Sequence, residues 1–263
     1  MEKRYDFIAS LGEDCACAKI LSKLFIRREA GPFDWICGIP FSRRMSLILR
    51  DFPNFLNEKY LKKEKGKHPD KNYDLYVHQM YGTRFLHDFP RNIDLSKSLP
   101  AIQKKYNRRI SRFQSHLRKE KVLLVFVSKT PYDKSLLIES MKALNKGNNT
   151  GKVSLLYLEH NPCLTMTETI EKTLEENLYY VQLNNSPTKP NSPWQGNVPL
   201  LSNLMCQYCL GISYEEYLSK MNSLKSRISL ALVLFLSCFI PLPKFRRKIR
   251  RYLIGQVVDY YID

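Results

Sequence analysis

From Val122 to Val127 six apolar residues, VLLVFV, follow one another without a polar break. A short run of this kind predicts a strand covered on both faces. Similar runs stand at Val153–Leu158 and Leu178–Leu183, and Lys134–Leu144 between the first two carries helical spacing. Strands alternating with helices predict an α/β fold, a mostly parallel sheet flanked by helices. Upstream, Ile102, Tyr106, Ile110, Phe113 and Leu117 recur at three- and four-residue steps, predicting a helix over Leu99–Lys119 whose other faces carry Lys104, Lys105, Arg108, Arg109, Arg112 and Arg118. At the N-terminus, Tyr5–Leu11 reads as a strand and Gly12 as a tight turn. Asp14 is placed to cap a helix running to about Phe25, with Ala18, Leu21, Leu24 and Phe25 as its apolar stripe. Met45–Phe55 reads as a helix, Tyr76–Met80 and Thr83–Phe89 as short strands, and the Lys-rich Asn57–Asp74 as a solvated insertion. Asn184–Pro199, with four prolines, reads as a loop bordering the carboxyl ends of the strands.

The pattern changes after residue 220. Ile228–Ile240 is apolar on every side, but at about 13 residues, stopped by Pro241 and Pro243, it falls short of the roughly 20 that span a bilayer. A buried or membrane-embedded hairpin element fits it better. In Lys244–Ile254 the residues Phe245, Ile249, Tyr252 and Leu253 share one helical face, and Lys244, Arg246, Arg247, Lys248, Arg250 and Arg251 occupy the others. The chain thus divides into an α/β catalytic-like domain over 1–220 and an apolar, polybasic, membrane-associating segment over 221–263.

Composition narrows the partners. A chain of 263 residues with 44% hydrophobic content, sixteen Tyr and thirteen Phe can bury a full core, and a formal charge of +17 calls for something anionic. The cations gather at one terminus without aromatics interleaved on a sheet face, which favours an anionic membrane surface over nucleic acid. Seven cysteines at irregular spacings cannot all pair, and Met1–Arg4 leads straight into a strand without a signal peptide's apolar stretch. The expected setting is a reducing cytoplasm, at the inner face of the cytoplasmic membrane.

The sharpest chemical question lies in SLGEDCACAKIL, residues 10–21. A cysteine opening a helix feels the partial positive charge of the helix N-terminus, which favours the thiolate. Backbone amides around Gly12, Asp14 and Ala16 could hold an oxyanion there. Glu13 and Asp14 work against the thiolate. Cys15 is therefore a candidate nucleophile that would need a base and an orienting group, with a small packed core residue as the plain alternative. Among the histidines His87, in RFLHDFP, is best placed near a strand end; His78, His116 and His160 are weaker. Asp88 follows His87 directly and on a strand would point to the opposite face, so Asp34, between Phe33 and Trp35 in GPFDWI, is the likelier orienter, with its aromatic neighbours lining a substrate site. Cys206 and Cys209 have zinc spacing without a second pair, so no metal is expected. No cofactor is expected either, since phosphate-cradling glycine loops are absent from the sequence, and the absence of G-x-S-x-G argues against a serine hydrolase.

In order along the first half of the chain, SLGEDC, GPFDWI, FLHDFP and YNRRISRF leading into KVLLVFV resemble the bacterial family of uncharacterised papain-like cysteine peptidases. The resemblance implies Cys15 as nucleophile and His87 as base. A papain fold would pair a helical lobe with an antiparallel barrel, whereas the periodicity from Leu99 to Leu183 predicts a parallel sheet. The expected activity is a Cys15-dependent hydrolase or transferase at an amide, ester or thioester, with His87 as base and Asp34 or Asp88 orienting it. The substrate is left open among small molecules, glycans and peptides. Two alternatives stand beside this reading: a transferase of bacterial surface-polysaccharide assembly with a structural Cys15, and a non-catalytic membrane-peripheral module.

Overall fold

The computed structural model describes residues 5–64, 70–146, 152–241, 245–246, 249–250 and 252–254. Its strands are β1 (Phe7–Ser10), β2 (Ile36–Cys37), β3 (Leu61–Lys63), β4 (Tyr73–His78), β5 (Thr83–Pro90), β6 (Val122–Ser128), β7 (Val153–His160), β8 (Thr169–Glu175) and β9 (Leu178–Leu183). Its helices are α1 (Cys15–Lys23), α2 (Phe41–Leu49), α3 (Leu95–Lys119), α4 (Lys134–Lys146), α5 (Val198–Leu210), α6 (Tyr214–Asn222) and α7 (Leu224–Cys238).

Every residue of β6 is buried, because this strand lies inside the main sheet with both faces covered. The sheet runs β1-β6-β7-β9-β8; the first four strands are mutually parallel and β8 closes the edge antiparallel to β9. Alternation along β6 sorts its side chains between two cores. Val122, Leu124 and Phe126 meet α3 and α4, whereas Leu123, Val125 and Val127 meet α1 and α5. Cys206 and Cys209 are buried on α5 in the second of these cores.

A second sheet, β2-β5-β4-β3, is antiparallel and lies between β1 and α3 in the sequence. It includes part of the stretch expected to be a solvated insertion: β3 pairs with β4 through Leu61 and His78, and Leu61 is buried. Burial of alternate positions on β4 and of Phe85 and Phe89 on β5 drives this pairing, since Phe85 and Phe89 pack on Tyr106 and Tyr76 respectively. The α3 helix starts four residues before Leu99, with Pro100 inside it.

Helix ends differ from the sequence expectation where the backbone turns left-handed. Phe25 has φ of 54° and is exposed, so it leaves the stripe of α1. Asp51, Phe52 and Asn54 do the same beyond α2, which therefore ends at Leu49 and not at Phe55.

Candidate active site

Cys15 is the first residue of α1, and the chain reaches it directly from the carboxyl end of β1. In parallel α/β sheets this is the edge where sites form, because helix N-termini and loops converge there. The ladder to β6 continues past the strand: the amides of Leu11 and Glu13 donate to Val125 O and Val127 O. Asp14 caps the helix as its sequence predicts, with Oδ1 accepting from Ala16 N at 2.8 Å. Its other oxygen lies 2.6 Å from Lys129 Nζ, just beyond the end of β6. Glu13 is fixed from both ends, its carboxylate accepting from Lys129 N and its main-chain oxygen from Arg44 Nη2.

The amides once assigned to an oxyanion are partly engaged: Gly12 N donates to Ser10 Oγ at 3.1 Å and Ala16 N to Asp14. Gly12 itself is required by a close approach, since a Cβ there would lie 2.6 Å from Cys17 Cβ. Gly12→Ala is expected to cost roughly 1–3 kcal/mol by forcing the start of α1 outward, measurable as a lower urea midpoint.

Burial, then Cys37, Asp14 and Asp34, push the Cys15 thiol up to about 12, with Arg44 pulling the other way. Arg44 is fully buried on the apolar stripe of α2; Nε donates to Ile39 O, the guanidinium lies 5.1 Å from the Phe33 ring, and burial pushes its pKa down to about 10. Burial opposes the charge on Lys129, yet Asp14 and Glu13 leave its pKa raised. Cys37, Arg44 and Lys129 thus join Cys15, although sequence reasoning passed over all three. Arg44 left a readable signal: Phe41, Arg44, Met45 and Ile48 share helical spacing, which puts a cation among apolar residues.

The expected Cys15–His87 pairing is not formed. His87 is an outward-facing residue of β5, its Nδ1 3.1 Å from Asp70 Oδ2 and its ring edge-on to Tyr73. Asp88 points the opposite way, as alternation requires, and accepts from Tyr106 Oη at 2.8 Å and from Lys105 Nζ. The other described histidines are also engaged: His78 with Asn54 O, His116 with Glu120 and stacked on Phe7, His160 with Asn185 N. Among the described residues no hydrogen bond joins Cys15 to a histidine.

GPFDWI serves as a brace near Cys15. Asp34, fully buried, accepts from Gly31 N at 2.8 Å and from Arg27 Nη1, and burial pushes its carboxyl up against the pull of Arg27. Asp34 therefore orients Arg27 and its own turn, not His87. Phe33 is a core residue packed on Phe52 and Phe113, so it supports the site from beneath instead of lining it. Trp35 is half-buried with the Arg27 guanidinium over its ring. A separate cleft of about 600 Å³ opens between the turn after α2 and α3, lined by residues that include Phe52, Asn54, Gln103 and Ile110, and none of the candidate catalytic or substrate-lining residues named from the sequence borders it. Of the basic C-terminal residues, Arg246 and Arg250 are described, whereas Lys244, Arg247, Lys248 and Arg251 lie outside the described residues.

The family model described as "Putative papain-like cysteine peptidase (DUF1796)" matches residues 6–160, from β1 to the end of β7. "Uncharacterized protein R408" of Acanthamoeba polyphaga mimivirus is 30% identical over 172 residues, covering 58% of this chain and 77% of that protein. No solved structure matches the chain.

Proposed function

The chain belongs to the DUF1796 family, and on that premise we propose that it is a cysteine-dependent hydrolase with Cys15 as nucleophile, acting at an amide, ester or thioester. The observation that carries this reading is the position of Cys15, first residue of a helix at the carboxyl end of a parallel strand, inside the segment that matches the family. Attack by Sγ on the acyl carbon would form a thioester as the leaving group departs with a proton, and water would then release the acid. Arg44 and the helix N-terminus favour negative charge at sulfur. His87 has no part in this reading of the resting site, because its ring is committed to Asp70.

The test is a screen of aryl esters, acyl thioesters and fluorogenic peptides, with mass spectrometry of the Cys15 peptide for a trapped acyl adduct. The expected result is turnover and an adduct in the wild type, with Cys15→Ala losing at least about 10³-fold in kcat/KM. Turnover that survives in Cys15→Ala sinks the assignment.

A further inference from the structure

Between Leu224 and Ile254 the sequence holds eight Lys or Arg and no Asp or Glu. Helix α7 occupies the start of this stretch. It meets the body through Leu230 and Val233, and presents Ile228, Leu232, Phe235 and Leu236 to solvent on another side, with the exposed Phe239 just beyond its end. Phe235 and Phe239 are 62% and 71% exposed and touch edge to face. The spacing 228, 232, 235, 239 is one helical stripe, and Phe245 is exposed as well. Solvent-facing apolar residues are ordinarily scattered; a stripe of this kind is a contact face.

One arginine ties the following segment to α7 and a second bonds to the chain just beyond its end. Arg246 Nε donates to Ile240 O at 2.8 Å and Arg250 Nε to Ser237 Oγ at 2.9 Å. Cations are thereby held beside the C-terminal end of the stripe. No single helix among the described residues is long and apolar enough to cross a membrane; α6 and Arg227–Cys238 pass that test only together, with a bend of 66°. Helix α6 is tied to the body, since Tyr217 is buried and its hydroxyl donates to Leu24 O. The remaining 15 residues of α7 reach about 22 Å, short of the roughly 30 Å hydrocarbon core.

We propose that the exposed stripe that runs along α7 to Phe239, with Phe235 and Phe239 toward its C-terminal end, docks in the plane of an anionic phospholipid surface. The aliphatic and phenyl groups enter the headgroup boundary and the adjoining cations meet lipid phosphates. Charge complementarity selects this occupant: by sequence the segment carries only cationic charges, and the described apolar face lies within it. The docking is independent of the chemistry at Cys15.

The test is co-sedimentation of the full chain with vesicles of equal parts phosphatidylcholine and phosphatidylglycerol, against phosphatidylcholine alone. The wild type is expected to pellet with the anionic vesicles and to be released by salt. Phe235→Ser/Phe239→Ser should weaken partitioning at least about tenfold, and Phe235→Leu/Phe239→Leu should restore it. Circular dichroism that matches the wild type shows that these surface variants fold. In Phe239→Trp, extra fluorescence over the wild type that brominated lipid quenches places the stripe in the acyl boundary. Failure to pellet, or equal binding by the serine variant, overturns the proposal. A concentration-dependent dimer lost in the serine variant, without vesicle binding, assigns the face to a second copy and overturns it equally.

Discussion

Arg27→Ala is expected to lower the unfolding free energy by about 3–5 kcal/mol, because it leaves the fully buried Asp34 carboxylate without its partner charge. Asp34 is fully buried and Arg27 only 7% exposed, so neither group can turn to solvent. Part of the pair is already under-satisfied: among the described residues no hydrogen bond reaches Asp34 Oδ1 or Arg27 Nε. Asp34→Asn keeps an acceptor for Gly31 N but leaves the guanidinium unpaired, and should lose nearly as much. Arg27→Leu/Asp34→Leu removes both charges and should recover most of the loss, retaining the smaller cost of the Gly31 amide. Thermal unfolding reads the difference as a fall of about 10 °C in Tm for the single variants. If the double variant is no more stable than either single one, the pair is not a coupled charge system. The consequence reaches the site, because Arg27 follows α1 directly and Asp34 is among the charges acting on Cys15.

How far the chain could be read in advance depends on where each signal resides. Runs such as VLLVFV declare a doubly covered strand by themselves, and Asp14 declares a cap through its position before CACAKIL. The polar strand β8, TIEKTLE, carries no such signal, since it lies at the sheet edge with most of its side chains exposed and is defined by backbone pairing to β9. Helix α5 is apolar on nearly all sides, so its period is blurred, and its two cysteines, which have zinc spacing without a second pair, pack in the core. Of the antiparallel sheet only β4 and β5 were visible as strands, and the sheet itself was not, because its pairing rests on partners up to about fifty positions apart. For the same reason the Cys15–His87 relation could not be settled from two motifs. Each motif is local, whereas the direction His87 faces is decided by the register of β5 against β4.

Cys15 is expected to resist alkylation at neutral pH and to gain reactivity about tenfold per pH unit, with no plateau below pH 9. A thiol pushed up to about 12 leaves only about one molecule in 10⁵ as thiolate at pH 7. A thiolate–imidazole pair would behave in the opposite way, reactive below pH 7 and flat above it. Rates of iodoacetamide labelling, with Cys15 resolved by peptide mapping, separate the two. Arg44→Met should slow labelling further, because it removes a charge that pulls the thiol down, and Cys37→Ser should speed it. His87→Ala should leave the profile unmoved. The measurement belongs below pH 9. Cys15, Cys17 and Cys206 are all pushed up to about 12 from an unfolded value of 9.0, so the folded chain holds these protons more tightly. The stability they contribute is complete below pH 9 and drains away as pH rises from 9 toward 12. A hydrolase working through such a thiol must lose the sulfur proton in step with attack. Its kcat/KM should therefore climb with pH across the neutral range instead of tracing the bell of a preformed ion pair. Rapid labelling of Cys15 at pH 6 would place a base beside the sulfur that the resting site does not hold.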